Sequence, residues 1–277
     1  MFTIGKMEFN QPIALAPMED VSDIPFRQIC KERGADIVYT EFTNSEALSR
    51  NVPRSMEKIQ VTNEERPVAI QLYGSNGESL EKAAAIAESF GPDFIDINFG
   101  CPVKKIVKRN GGSGCLRDMD LVESIIRSVV RSTHLPVTTK IRSGYDEPSR
   151  DPVGIALRCR AAGSRMVTLH ARTRTDMYGG HARWDEIAAL VEALDVPVVG
   201  NGDITSAEEA VSRLKNYSVD GVMIARECLA KPWIFSQVAA LLRGEPKPPD
   251  PTSDEQKHIV LHHYGLVCSR FGVERGT

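Results

Sequence analysis

Eight short runs of β-branched and other apolar residues recur along this sequence. Longer stretches lie between them in which apolar residues fall three and four positions apart. The runs are residues 13–16, 37–40, 68–72, 94–98, 137–141, 166–170, 198–201 and 221–225; the helix-like stretches include 24–33, 78–90, 121–132, 152–162, 184–194 and 207–214. In 121–132, Leu121, Ile125 and Val129 with Val122, Ile126 and Val130 form one wide apolar stripe. Strands apolar on both faces, each leading into a helix, belong to a parallel sheet covered by helices. Eight such units in order predict a closed (β/α)8 barrel, a TIM barrel, rather than an open doubly wound sheet. The chain has 277 residues, close to the ~250 typical of one such barrel.

Beyond the eighth unit the composition changes. Residues 244–254 (GEPKPPDPTSD) hold four prolines and read as a stiff linker, and 255–271 regain helical periodicity. The expected division is a barrel over 1–243, a linker over 244–254 and the start of a small helical domain over 255–277. No apolar run approaches the ~20 residues that span a bilayer, and the N-terminus lacks the pattern of a signal peptide. The six cysteines are scattered without a CxxC pair, which points to reduced thiols in the cytoplasm and to no metal site. A net charge of -3 gives no global attraction for nucleic acid, so any such contact must come from a local patch.

Chemistry in these barrels collects at the C-terminal ends of the strands. The predicted ends carry Pro17, Met18 and Glu19; Gln71; Asp96, Asn98 and Cys101; Lys140 and Arg142; His170, Arg172 and Arg174; Asn201, Gly202 and Asp203; and Ala225 and Arg226. Hydrophobic periodicity does not call for this polar ring, which suits a flat, polar ligand. Taken singly, each has a plainer reading: Gln71 as a loop contact, Lys140 as an exposed lysine, His170 as a structural histidine, Asn201–Asp203 as turn chemistry. As a set, Gly202 and Arg226 fit the phosphate cradle that follows strands seven and eight. Cys101, between Gly100 and Pro102, suits a nucleophile or a proton donor; no neighbouring histidine activates it, which favours the acid. Lys104, Lys105, Lys108 and Arg109 follow in one loop and form a basic cluster beside it.

The segments APMEDVSDIPFR (16–27), QLYG (71–74), DINFGCPVKKIVKRNGGSGCLRD (96–118), KIRSGYD (140–146), LHARTR (169–174), NGDI (201–204) and MIAR…KPWIF (223–235) resemble the tRNA-dihydrouridine synthase family, most nearly its bacterial subfamily B. The resemblance implies an FMN-binding barrel that reduces the C5–C6 bond of particular uridines in tRNA, with NADPH (or NADH) reducing the flavin. It implies that Cys101 protonates uracil C5 and that Asn98 holds the uracil. Pro17, Met18, Gln71, Lys140 and His170 would contact the flavin, with Asn201, Gly202, Asp203, Ala225 and Arg226 at its phosphate. Lys104, Lys105, Arg142, Arg172 and Arg174 would face the RNA. A monomer acting on tRNA, with no membrane or metal partner, is expected.

Three features depart from the family pattern: Ala225 stands where glycine is usual, Glu19 where a small residue is usual, and 262–277 (HHYGLVCSRFGVERGT) resembles only the beginning of the helical domain that grips tRNA. Two rival functions stay open at this level: a flavin oxidoreductase acting on free pyrimidines, which has no use for the basic loop, and a remnant that binds FMN or RNA without turnover.

Overall fold

A computed structural model describes residues 1–273; the last four residues of the expected helical domain, 274–277, lie outside the described residues. The strands are β1 (Phe2–Ile4), β2 (Met7–Phe9), β3 (Ile13–Leu15), β4 (Val38–Tyr39), β5 (Thr43–Asn44), β6 (Val68–Tyr73), β7 (Phe94–Phe99), β8 (Val137–Arg142), β9 (Val167–His170), β10 (Val198–Asn201) and β11 (Gly221–Ile224). Parallel pairing runs β3-β11-β10-β9-β8-β7-β6-β4, and β5 adds to the far end of β6. A single parallel bridge, Ala14 to Ile37, closes the ring, with Asp36 N–H donating to Ile13 C=O and Leu15 N–H to Ile37 C=O, both at 2.9 Å. The fold is a (β/α)8 barrel, and all eight anticipated strands are present.

The helices follow from local sequence. Ile24–Glu32 begins at Asp23, whose carboxylate accepts from the Phe26 N–H, and carries proline in its first turn. Met119–Ser132 is capped by Asp118 and buries Val122, Ile125, Ile126 and Val129 against the sheet. Trp184–Ala193 packs on β10 and Ala207–Asn216 on β11, the latter capped by Ser206.

The barrel has two apolar layers. One lies between strands and helices; the other fills the barrel interior with Ala14, Ile37, Tyr39, Ala69, Phe94, Met166, Val199 and Met223. The antiparallel hairpin β1–β2 joins the inner cluster through Ile4 and Phe9, and so plugs the N-terminal end. Its three-residue strands are too short for periodicity to reveal.

Arg27 and Glu65 form an ion pair with side chains 1% and 0% exposed. The Arg27 guanidinium also donates to Ser22 C=O at 2.7 Å and Gln60 C=O at 2.9 Å. Ser22 Oγ in turn bonds both Met18 N–H (2.9 Å) and Met18 C=O (3.0 Å), which fixes the loop after β3.

The proline-rich segment is tied to the barrel. Trp233 Nε1 donates to Asp250 at 3.0 Å, and Gln237 Nε2 to Pro248 C=O and Asp250, both at 2.9 Å. The last helix runs Ser253–Phe271, two residues earlier than expected, because Thr252 and Glu255 form a capping box. Its Ile259 packs on Ile29 and Trp233, and His262 bonds Glu32 at 3.1 Å. Among the described residues no helix is long and apolar enough to cross a membrane.

Candidate active site

The C-terminal ends of the strands surround a cavity of about 590 Å³, within the range of cofactor sites. Of the residues singled out from the sequence, Pro17, Met18, Asn98, Cys101, Lys140, Arg142, His170, Asn201, Gly202, Asp203, Ala225 and Arg226 line it. Gln71, Lys104, Lys105, Arg172 and Arg174 stand outside that lining.

The cysteine wall is built from β7. Alternation along the strand sends Asp96 and Asn98 to the same side. Asp96 accepts from Gln71 Nε2 at 2.6 Å and from Thr138 Oγ1 at 2.5 Å, and Asn98 Nδ2 donates to Gln71 Oε1 at 2.7 Å. Asn98 Oδ1 then accepts the N–H groups of Gly100 (2.9 Å) and Cys101 (2.8 Å). A buried chain of polar groups thus runs from the barrel interior to the backbone of Cys101. Gln71, fully buried, holds Asn98 from behind rather than lining the cavity. Burial pushes the Asp96 carboxyl up to about 6, against the bonds from Thr138 and Gln71. Asp96, part of the polar ring expected at the strand ends, anchors this network from inside the barrel.

Cys101 is 6% exposed. Its carbonyl accepts from Ser113 N–H at 3.1 Å and Ser113 Oγ at 2.8 Å. Gly112 has φ +54°, and a Cβ there would lie 2.9 Å from that carbonyl oxygen and 3.0 Å from the Cys101 Cβ. The GGSG segment therefore clasps the cysteine so closely that glycine is required. Burial raises the thiol above its ordinary range, against the Val103 N–H and the charges of Arg142 and Lys140.

Across the cavity, Lys140 is 8% exposed and donates to Asn201 Oδ1 at 3.1 Å, its one hydrogen-bond partner among the described residues. Burial, and then Arg142, pull its ammonium down to about 8. A cation in this position, with donors to spare, suits an anionic or electron-rich ligand. Burial and the charges of Arg142, Lys140, Arg172 and Arg226 hold His170 well below its ordinary value, so its imidazole is neutral at pH 7.

At the far end, Gly202 has φ +130°, and a Cβ would lie 2.6 Å from the Ala182 Cβ and 3.3 Å from the His170 ring. Arg226, exposed, reaches to 3.7 Å from Asp203. Burial alone would raise the Asp203 carboxyl, but the Ala182 N–H and Arg172 outweigh it and keep it below its usual range. The loop at Gly202 and the Arg226 charge stand together at this end of the cavity, where a phosphate can be held.

Arginines expected on the RNA side turn inward. Arg142 donates to Gly100 C=O, Thr173 C=O and Met177 C=O, each at 2.8 Å. Arg172 donates to Asp203 at 2.8 Å, Gly179 C=O at 3.0 Å and Gly180 C=O at 2.8 Å. Arg142 still borders the cavity, but both guanidinium groups are buried and committed to protein acceptors. Arg174, half-buried, stacks over the Tyr145 ring at 5.5 Å. Lys104 and Lys105, with Lys108 and Arg109, remain exposed in and after the short helix Lys104–Val107, and none forms an ion pair among the described residues.

Glu19, Asp20 and Glu41 bring three carboxylates together at the rim. Lys58 pairs with Glu19, and with Glu41 at 3.2 Å, so this group already has its cation.

The dihydrouridine synthase family model matches residues 14–277. A probable tRNA-dihydrouridine synthase of Rickettsia prowazekii is 37% identical over 278 residues, covering 100% of this chain and 85% of the relative. The tRNA-dihydrouridine synthase B of Pseudomonas aeruginosa is 38% identical, covering 99% and 82%. Among solved structures, a 2-naphthoyl-CoA reductase bound to 2-naphthoyl-CoA superposes with a TM-score of 0.65 at 11% identity, over 88% of this chain and 52% of that longer one. The Amycolatopsis orientalis BexX/CysO complex gives 0.57 at 17%, over 90% and 98%. At such identities these two share the fold alone.

Proposed function

Because this chain belongs to the dihydrouridine synthase family, we propose that it reduces the C5–C6 double bond of uridines in tRNA, with FMN as cofactor and NADPH or NADH as reductant. The observation that supports this most is the pairing of one buried, protonated thiol with one buried, under-partnered ammonium across a single cavity. When bound, FMN supplies the hydride for uracil C6.

The chain's own residues do the rest. Pro17 and Met18 form an apolar wall, with Met18 fixed by Ser22, against which a flat ring can lie. Lys140 and Asn201 offer polar contact to the ring, and Lys140 supplies positive charge to balance the electrons taken up on reduction. Gly202, Asp203, Ala225 and Arg226 receive the phosphate. Asn98 fixes the Gly100 and Cys101 backbone through its oxygen and keeps one amide N–H for a uracil beside the cysteine. His170, held neutral at pH 7, is a weak acid, and Cys101 Sγ is the residue assigned as proton donor to C5. The resulting thiolate lies in the field of Arg142 and Lys140, both of which favour it.

Residues 1–243 serve as the catalytic barrel, 244–254 as the linker and 255–277 as part of a tRNA-gripping helical domain. The exposed cations at Lys104, Lys105, Lys108 and Arg109 flank Cys101 and favour tRNA over a free pyrimidine. A cytoplasmic monomer without a metal completes the reading. It is tested by incubating the FMN-loaded protein with NADPH and unmodified tRNA and analysing the digested nucleosides by mass spectrometry. Dihydrouridine appears only when NADPH is present; reduction of free uridine but not of tRNA contradicts the reading.

Lys140 gives a pH-dependent prediction. With its ammonium at about 8 in the free protein, its charged form is the one that attracts the electron-rich carbonyl edge of the ring and the overall negative charge of the cofactor. FMN affinity therefore falls as pH rises through about 8, by up to about tenfold per unit above it. Lys140→Met removes that slope and slows flavin reduction by about 10²-fold. Titration by flavin fluorescence across pH 6–10 measures the first; an equal slope in the variant contradicts it.

A further inference from the structure

We infer that Asp96 is a positioning residue for the proton donor: from inside the barrel it sets which way the amides of Gln71 and Asn98 point, and through them where Cys101 stands. This role rests on the uridine-reducing reading above. Asp96 lies mid-strand on β7, in register with Gln71 on β6 and Thr138 on β8, and all three are 0% exposed. Two residues earlier on the same face, Phe94 packs in the inner cluster with Ala69, Met166 and Val199. An apolar side chain at 96 would continue that packing without desolvating a charge, whereas a buried carboxyl has to be compensated by its partners. Packing alone does not explain an aspartate here.

Its fixed polarity does. A carboxamide can turn either its oxygen or its nitrogen toward a neighbour, so a line of two amides has two senses. Both ends of this line select the same one. At the cavity end, the Gly100 and Cys101 N–H groups, at 2.9 and 2.8 Å, require the Asn98 oxygen. At the inner end, Asp96 takes Gln71 Nε2 on one oxygen at 2.6 Å and Thr138 Oγ1 on the other at 2.5 Å. Gln71 Oε1 is left to receive Asn98 Nδ2 at 2.7 Å. With Gln71 turned over, its oxygen would meet the Asp96 carboxylate and its nitrogen the Asn98 nitrogen, two repulsions in place of two bonds.

Without the acceptor at 96, the Gln71 nitrogen loses its partner in a dry interior, where an unmet donor is costly. Gln71 then gains nothing from its present sense. Asn98 is free to turn with it, and the two N–H groups that fix the Cys101 backbone lose their oxygen. Asp96 does not line the cavity, so it reaches Cys101 through these amides rather than by contact. Buried networks of this kind hold a site in one geometry only when every member is satisfied.

The test compares FMN-loaded wild type with Asp96→Asn, Asp96→Ala, Gln71→Met and the double variant Asp96→Ala with Gln71→Met. Asparagine can give its oxygen to Gln71 and its nitrogen to Thr138, so it keeps the sense of the line while removing the charge, which also reaches Lys140. Reoxidation of the reduced flavin by unmodified tRNA is expected to fall roughly 10²-fold in Asp96→Ala, the scale of a misplaced reacting group, and to stay within about fivefold in Asp96→Asn. The double variant loses no more than the worse single one, because residues acting in one line are not additive. Iodoacetamide labelling of Cys101, read by mass spectrometry of its peptide with no RNA present, speeds up by as much as about tenfold in Asp96→Ala, the effect of one lost hydrogen bond, and not in Asp96→Asn. Should alanine fail to fold, Asp96→Leu, which fills the place without an acceptor, takes its part. An asparagine variant that falls as far as alanine assigns the effect to charge and overturns the inference, as do additive losses in the double variant. Flavin reduction by NADPH slowed as much as the tRNA step also overturns it. A wild type indifferent to tRNA overturns the uridine-reducing reading, and unchanged Cys101 labelling in Asp96→Ala overturns the positioning of Cys101 whatever the substrate.

Discussion

Replacing Cys101 with alanine is expected to lower dihydrouridine formation by roughly 10²–10⁴-fold, the usual contribution of a positioned general acid, while FMN stays bound and NADPH reduces it at the normal rate. Cys101 borders the cavity, its backbone N–H is held by Asn98, and its carbonyl is held by Ser113. Removing one sulfur from a site fixed by its backbone leaves the loop in place. Burial keeps the thiol protonated at neutral pH, the state an acid requires. The same burial predicts slow alkylation of Cys101 at pH 7, accelerating as pH rises. Full activity in the alanine variant, measured as dihydrouridine per tRNA, removes Cys101 from the mechanism.

Arg27→Met is expected to destabilise the fold by about 3–5 kcal/mol, the cost of leaving one member of a buried ion pair behind. Glu65 would keep a charge at 0% exposure with its cation gone, and the carbonyls of Ser22 and Gln60 would each lose a donor. For a domain of this size each kcal/mol lowers Tm by about 2–4 °C, so a drop on the order of 10 °C is predicted in a thermal melt. The double variant Arg27→Met with Glu65→Leu recovers only the part due to the unpaired Glu65 charge, since the carbonyls of Ser22 and Gln60 still lack their donor and the Thr62 N–H loses its Glu65 acceptor. A single variant within 2 °C of wild type contradicts this account of the loop. Because Ser22 also holds Met18, the single variant should bind FMN more weakly as well.

The barrel was legible because its signal is repeated: short apolar strands alternate with helices, several of which carry both a cap and an apolar stripe. Elements shorter than the period escaped. The β1–β2 hairpin and the helices Ser45–Ser49 and Pro53–Lys58 offer too few residues for either periodicity, and their packing onto the barrel is a long-range fact. Within the site, Cys101, Lys140 and Gly202 were readable from their places at strand ends. Arg142 and Arg172 were counted as RNA contacts because a sequence shows a charge but not its acceptor; here the acceptors are carbonyls 31 to 42 residues before Arg142 or after it, and Asp203, 31 residues after Arg172. Gln71 was read as touching the ligand, whereas its amide joins Asp96 to Asn98.

Central to this account is that the buried thiol and the buried ammonium serve one reaction whose electron acceptor is a base in tRNA. The most direct measurement mixes NADPH-reduced, FMN-loaded protein with unmodified tRNA under anaerobic conditions and follows the return of oxidised-flavin absorbance. The account predicts rapid reoxidation with tRNA, almost none without it or with an equal concentration of free uridine, and a loss of the tRNA effect in Cys101→Ala. Reoxidation at one rate whether or not tRNA is present would contradict it.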